Sequence, residues 1–138
     1  MSTPRTISSS EADTIAAGRE LGRTLGPGAV VLLNGSLGAG KTAFVRGLAE
    51  GLGCDTAGVS SPTFTIVQEY PGPVPLWHVD LYRLAPPEVD ELGLDELATD
   101  GVLAVEWPDR WRTPPAGIHV TIDMTGGDGR EITLTNTN

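Results

Sequence analysis

Ala29-Val30-Val31-Leu32-Leu33-Asn34-Gly35-Ser36-Leu37-Gly38-Ala39-Gly40-Lys41-Thr42-Ala43-Phe44-Val45 is the stretch from which the fold can be read. Its first five residues form an apolar run with two valines, closed by a turn signal. A run of that length predicts a buried, parallel strand. Gly35 to Thr42 then fits G-x-x-x-x-G-K-[ST], the phosphate-binding P-loop. Its glycines let successive backbone N–H groups point at one anion, and Lys41 neutralises the terminal phosphates. The Thr42 hydroxyl can ligate Mg²⁺, and the helix that starts here adds its positive end. That helix is predicted over Lys41 to Leu52, with Phe44, Val45, Leu48 and Leu52 on one face and Gly53 as terminator.

Working outward, Ser10 and Asp13 make a capping-box pattern for a helix from about Glu11 to Leu25, with Ile15, Leu21 and Leu25 on one side. Gly26-Pro27-Gly28 stops it. Ser60 to Thr63 reads as a loop and Phe64 to Tyr70 as a strand. Leu76 to Tyr82 reads as its antiparallel partner or a core strand. Pro86-Pro87 opens a helix to about Leu97, with Gly93 as a weak spot. Val102 to Val105 is a second buried strand. Ile118 to Met124 and Glu131 to Thr135 form a terminal hairpin around Gly126-Gly127-Asp128-Gly129. The expected fold is α/β: a P-loop NTPase-like mixed sheet with flanking helices and a C-terminal β-hairpin, one domain over 1–138.

Composition narrows the function. The 138 residues carry 9 basic and 18 acidic side chains, a net charge of −9. Gripping a phosphate backbone needs clustered Lys and Arg, so direct DNA or RNA binding is disfavoured. Lys41 is the only lysine. Cys54 stands alone, which excludes an intrachain disulfide and a cysteine-based metal knuckle; it reads as a small packing residue. Met1 to Ser10 is polar, unlike a secretory signal, and no apolar run nears the roughly 20 residues of a membrane span. A cytoplasmic protein without membrane attachment is expected.

A P-loop needs an acid for Mg²⁺ or for the attacking water, usually at the end of a buried strand. Asp80, after Leu76-Trp77-His78-Val79, and Glu106, after Val102 to Val105, both qualify. Each alone could equally be a carboxylate facing solvent. Thr63 and Thr65 lie where a loop could sense the terminal phosphate, although by sequence pattern alone an ordinary turn entering a strand is favoured. Trp107 either shields the site or is a half-buried core residue. His78 and His119 read as plain strand residues. From Glu69 to Asp109 there are ten acids against one base, Arg83, and six of the acids fall between Glu88 and Asp100. A solvated helix face is favoured there over a docking surface for a basic partner.

A GTPase would need Asn-Lys-x-Asp, hence a second lysine. A small-molecule kinase would need a mobile arginine-bearing lid, and Arg83, Arg110, Arg112 and Arg130 are scattered. Physical reasoning therefore reaches a small Mg²⁺-nucleotide-binding domain, ATP preferred. A small P-loop kinase and an ATP-gated interaction module stay open.

Four blocks in order go further: Leu37 to Thr42, Ser61-Pro62-Thr63-Phe64-Thr65, His78-Val79-Asp80-Leu81-Tyr82-Arg83-Leu84, and Val105-Glu106-Trp107-Pro108. Together they closely resemble the TsaE (YjeE) family, bacterial ATPases needed for threonylcarbamoyladenosine modification of tRNA beside the anticodon. The resemblance implies ATP and Mg²⁺ as ligands, and a phosphate cradle formed by Gly38, Ala39, Gly40, Lys41 and Thr42. It implies Thr42 and Glu106 for the metal, and Asp80 near metal or water. Thr63 and Thr65 would form a switch-like loop, with Trp107 acting beside Glu106. Glu11 and Arg130 match positions toward the nucleotide. The implied partners are TsaD and TsaB, with tRNA reached only through them. The implied activity is slow ATP hydrolysis that resets their complex. Ser36 departs from the family pattern, which usually has an acid there.

Overall fold

The structure, a computed structural model, describes residues 5–35, 40–56 and 67–136. The P-loop strand is β2 (Val30–Asn34), buried along almost its whole length, and the helix after the loop is α2 (Lys41–Gly51). Before them come an edge strand β1 (Arg5–Ser8) and α1 (Glu11–Gly22). After them come β3 (Val67–Tyr70), β4 (Leu76–Asp80), α3 (Pro86–Asp90), α4 (Leu94–Asp100) and β5 (Val102–Glu106). A single 3-10 turn, Pro108–Arg110, leads to the hairpin β6 (Ile118–Gly126) and β7 (Gly129–Asn136). The seven strands form one mixed sheet in the order β1-β7-β6-β2-β5-β4-β3.

β2 runs parallel to both neighbours, β5 and β6, and β4 runs parallel to β5. The remaining pairs are antiparallel. The chain thus leaves β2 toward one side of the sheet and later returns on the other. In such sheets the crevice at the carboxyl ends of the central strands is where ligands bind. Alternation along the strands builds two apolar layers. Val31, Leu33, Leu76, Val102 and Ala104 meet Phe44, Val45 and Leu48 of α2 on one face. Val30, Leu32, Val79, Leu103 and Val105 meet Val89, Leu94 and Ala98 of α3 and α4 on the other.

Several boundaries differ from the sequence expectations, each for a local reason. α1 ends at Gly22, not near Leu25, and its buried residues are Thr14, Gly18 and Gly22. The apolar stripe of Ile15 and Leu21 is only half-buried. The glycines win because α2 lies directly against them: a Cβ on Gly18 would stand 2.1 Å from the Phe44 carbonyl oxygen. The helix expected over 86–97 is two helices, broken where Gly93 takes a left-handed φ of 67°. β1 was not expected at all; it pairs with β7, and Ile7 on it is exposed. Phe64 to Ile66 of the expected strand lie outside the described residues. The capping box is present but shifted. Ser10 Oγ accepts from the Asp13 N–H at 3.1 Å, while Asp13 Oδ2 accepts from Ser9 rather than Ser10.

Candidate functional site

β2 delivers its chain end to Gly35, and α2 begins after Gly40, whose φ of 104° belongs to the left-handed region where a side chain is strained. Lys41, the first residue of α2, is buried, and its Nζ donates to the Gly35 carbonyl at 2.9 Å. The two ends of the P-loop are thereby tied by the chain's one ammonium group. Gly38 and Ala39, predicted in the cradle, lie outside the described residues, as do Thr63 and Thr65. Thr42 is exposed at the second position of α2.

The two candidate acids come together because β4 and β5 are parallel and in register. Asp80 pairs with Glu106, and Glu106 pairs on its other side with Leu33. Glu106 is only 6% exposed, so it is no solvent-facing strand end. Its Oε1 lies 3.8 Å from Lys41 Nζ. Asp80 is half-buried, and its Oδ1 accepts the Tyr82 N–H at 2.9 Å. Burial pushes the Lys41 ammonium below its ordinary pKa, against the opposing pull of Glu106, then Asp80 and Asp109.

Trp107 follows directly. Among the described residues it is the only non-glycine with a positive φ, 60°. A side chain in that region costs about 1–2 kcal/mol, and such strain persists only where the surroundings hold it. Here Lys41 Nζ sits 4.1 Å above the indole centroid, and the Tyr82 ring packs against the indole at 5.0 Å. Trp107 is half-buried, as one of its two sequence readings expects, and its indole lies against the Lys41 ammonium.

On the far side of the loop, a Cβ on Gly40 would lie 3.6 Å from the Thr14 methyl and 3.9 Å from Arg130 Nε. Arg130 therefore stands beside the start of α2, its Nη1 donating to the carbonyls of Gly127 and Gly129. Thr14 is fixed by a 2.7 Å hydrogen bond with Ser8 Oγ. Glu11 is exposed one turn before Thr14.

The sequence reading overlooked His78. It is fully buried, and its Nε2 is 2.6 Å from Glu106 Oε2. The available signal was the His-x-Asp spacing, which puts both side chains on one face of a strand. Cys54 behaves as expected of a packing residue. It is buried, its thiol faces the Val74 carbonyl at 3.3 Å, and burial raises its pKa. The six acids of α3, α4 and their junction are all exposed, and Glu88 caps the Ala85 N–H.

Chemically the crevice offers one ammonium, two carboxylates and a helix start. Hard oxygen donors from Thr42, Asp80 and Glu106 suit Mg²⁺, which takes one or two carboxylates and completes its shell with phosphate and water. Among the described residues the two carboxylates offset the Lys41 ammonium, and a divalent cation would offset the charge of a polyphosphate entering beside them. No helix among the described residues is long and apolar enough to cross a membrane.

Comparison with known proteins gives the family and a solved structure of the same fold. The sequence model of the TsaE family, "Threonylcarbamoyl adenosine biosynthesis protein TsaE", matches residues 8–132. A Bacillus subtilis tRNA threonylcarbamoyladenosine biosynthesis protein TsaE is 49% identical over 113 residues, 79% of this chain and 70% of the relative. The Treponema pallidum protein of that name is 40% identical over 134 residues, 94% of this chain and 98% of the relative. The crystal structure of Bacillus subtilis YdiB superposes with a TM-score of 0.79 at 36% identity, covering 99% of this chain and 87% of that one.

Proposed function

The chain belongs to the TsaE family of threonylcarbamoyladenosine biosynthesis proteins, and from that premise we propose that it binds Mg-ATP and hydrolyses it slowly, as an accessory protein of tRNA threonylcarbamoyladenosine modification. The observation that carries this reading is the crevice itself: Lys41 bridging the two ends of the P-loop, with Asp80 and Glu106 in register beside it. Lys41 exchanges the Gly35 carbonyl for the terminal phosphates. Thr42 and Glu106 would hold the metal, which would supply charge neutralisation at the phosphates. Asp80 orients the attacking water. Trp107 keeps bulk water from Lys41, and Arg130 and Glu11 lie toward the remainder of the nucleotide.

The partners are TsaD and TsaB in the cytoplasm, with tRNA engaged only through them. A net charge of −9 agrees with a protein that does not grip the tRNA itself. Hydrolysis by the isolated chain is weak, as expected where a partner completes the site.

Calorimetry with Mg-ATP tests the binding step: wild type binds, and Lys41→Ala loses at least a hundredfold in affinity. Equal affinity of the two would refute the site assignment. A pull-down with TsaB and TsaD, with and without ATP, tests the partners; no capture under either condition would refute them. Complementation with a Glu106→Ala variant that still binds ATP tests whether hydrolysis is needed. Normal modification by that variant would favour an ATP-gated interaction module instead.

A further inference from the structure

We propose that His78 is a positioning residue for Glu106, an inference that rests on the ATPase reading above. Imidazole is an expensive filler for a fully buried strand position, where an apolar side chain would pack without desolvation. Its register partner on β5 is Ala104, small enough to let the ring reach diagonally to Glu106, two residues on. There Nε2–H donates to Oε2 at 2.6 Å. Nδ1 has no hydrogen-bond partner among the described residues. Among the described residues the ring's polar contact is thus spent on the carboxylate alone.

The consequence is a division of labour between the two oxygens of Glu106. His78 holds Oε2 at the back of the crevice, and Oε1 is presented toward Lys41, 3.8 Å away. Without His78 the buried carboxylate has, among the described residues, no partner but Lys41, and closes on that ammonium. The two groups then neutralise each other rather than serving metal and phosphate. His78 touches neither ligand; it sets which oxygen of Glu106 faces the crevice and limits how closely that oxygen approaches the lysine.

A double-mutant cycle tests this, read by calorimetry of ATP affinity with and without Mg²⁺ and by melting temperature. His78→Leu is expected to cut the Mg²⁺-dependent gain in ATP affinity roughly tenfold, the scale of a lost hydrogen bond to a charged group. His78→Gln places an amide N–H within reach of the same oxygen and stays within about threefold of wild type. The shorter His78→Asn does not reach, and behaves like the leucine variant while remaining polar should His78→Leu fail to fold. On a Glu106→Gln background, His78→Leu changes the affinity by less than about twofold, because the group it acts through is gone. Folded His78→Leu and His78→Asn variants with wild-type Mg²⁺ dependence would overturn the assignment, as would equal losses on both backgrounds. A wild-type protein that binds no ATP would instead overturn the ATPase reading, and this inference with it.

Discussion

Replacing Gly47 with alanine should destabilise the protein although alanine is the better helix former. A Cβ at this position would stand 2.0 Å from the Ile15 carbonyl oxygen and 2.8 Å from the Arg19 nitrogen, where real Cβ atoms essentially never come within 3.0 Å. Both obstacles are backbone, so no rotamer change relieves them. α1 must retreat from α2 by about 1 Å, and overpacking of this kind costs roughly 3 kcal/mol at the upper end of its usual range. Alanine returns about 1 kcal/mol of helix propensity. The net loss of about 2 kcal/mol, set against an unfolding entropy of roughly 2.1 cal/mol/K per residue over this chain, lowers the melting temperature by about 7 °C. Gly26→Ala is the control, with nothing within 4 Å of its Cβ. It should melt at or slightly above wild type. Differential scanning calorimetry decides, and a Gly47→Ala protein as stable as Gly26→Ala would refute the close packing of α1 on α2. The retreat also carries Thr14 away from Gly40, so ATP affinity should fall with stability.

Lys41→Met should lose ATP binding, and it removes the one titrating ammonium whose burial makes wild-type stability depend on alkaline pH. Burial holds the Lys41 pKa below 10.5, so below its folded value the destabilisation is fully present, and it is relieved as pH rises toward 10.5. A wild-type stability that does not rise relative to Lys41→Met through that alkaline window would contradict this. Trp107→Ala and Trp107→Gly both remove the ring, but only alanine keeps the Cβ in a left-handed backbone; urea unfolding should find the glycine variant more stable by about 1 kcal/mol. The reverse order would show that Trp107 is not strained.

The P-loop strand and helix were legible because their signals are local: an apolar run, fixed glycines, a lysine and a helical period. The placement of Asp80 and Glu106 was legible as strand ends, but not their pairing, which depends on β4 and β5 being neighbours in register. Glycines 18, 22, 47 and 51 carry no apolar pattern, so hydrophobic periodicity chose Ile15 and Leu21 for the wrong share of burial. β1 escaped notice because four residues with one exposed isoleucine give no alternation. His78 was read as an ordinary strand residue because its partner lies 28 residues away in sequence.

What holds the carboxylates in place begins at the opposite end of their strands. Val102 donates its N–H to the Pro75 carbonyl at 2.9 Å, and a Cβ on the preceding Gly101 would stand 2.3 Å from that same oxygen. The entry to β5 is thus locked against the entry to β4. A side-chain period of two carries that register forward. Leu76, His78 and Asp80 on β4 then face α2 together with Val102, Ala104 and Glu106 on β5. A slip of one residue in β5 would turn Glu106 to the α3 and α4 face and bury Val105 under Lys41 instead. Three positions without chemistry of their own, Pro75, Gly101 and Ala104, therefore decide whether two acids and a histidine meet the lysine at all. That dependence explains how a crevice with few charged groups can be specific: its geometry is set by the backbone of the sheet rather than by contacts among the reacting groups.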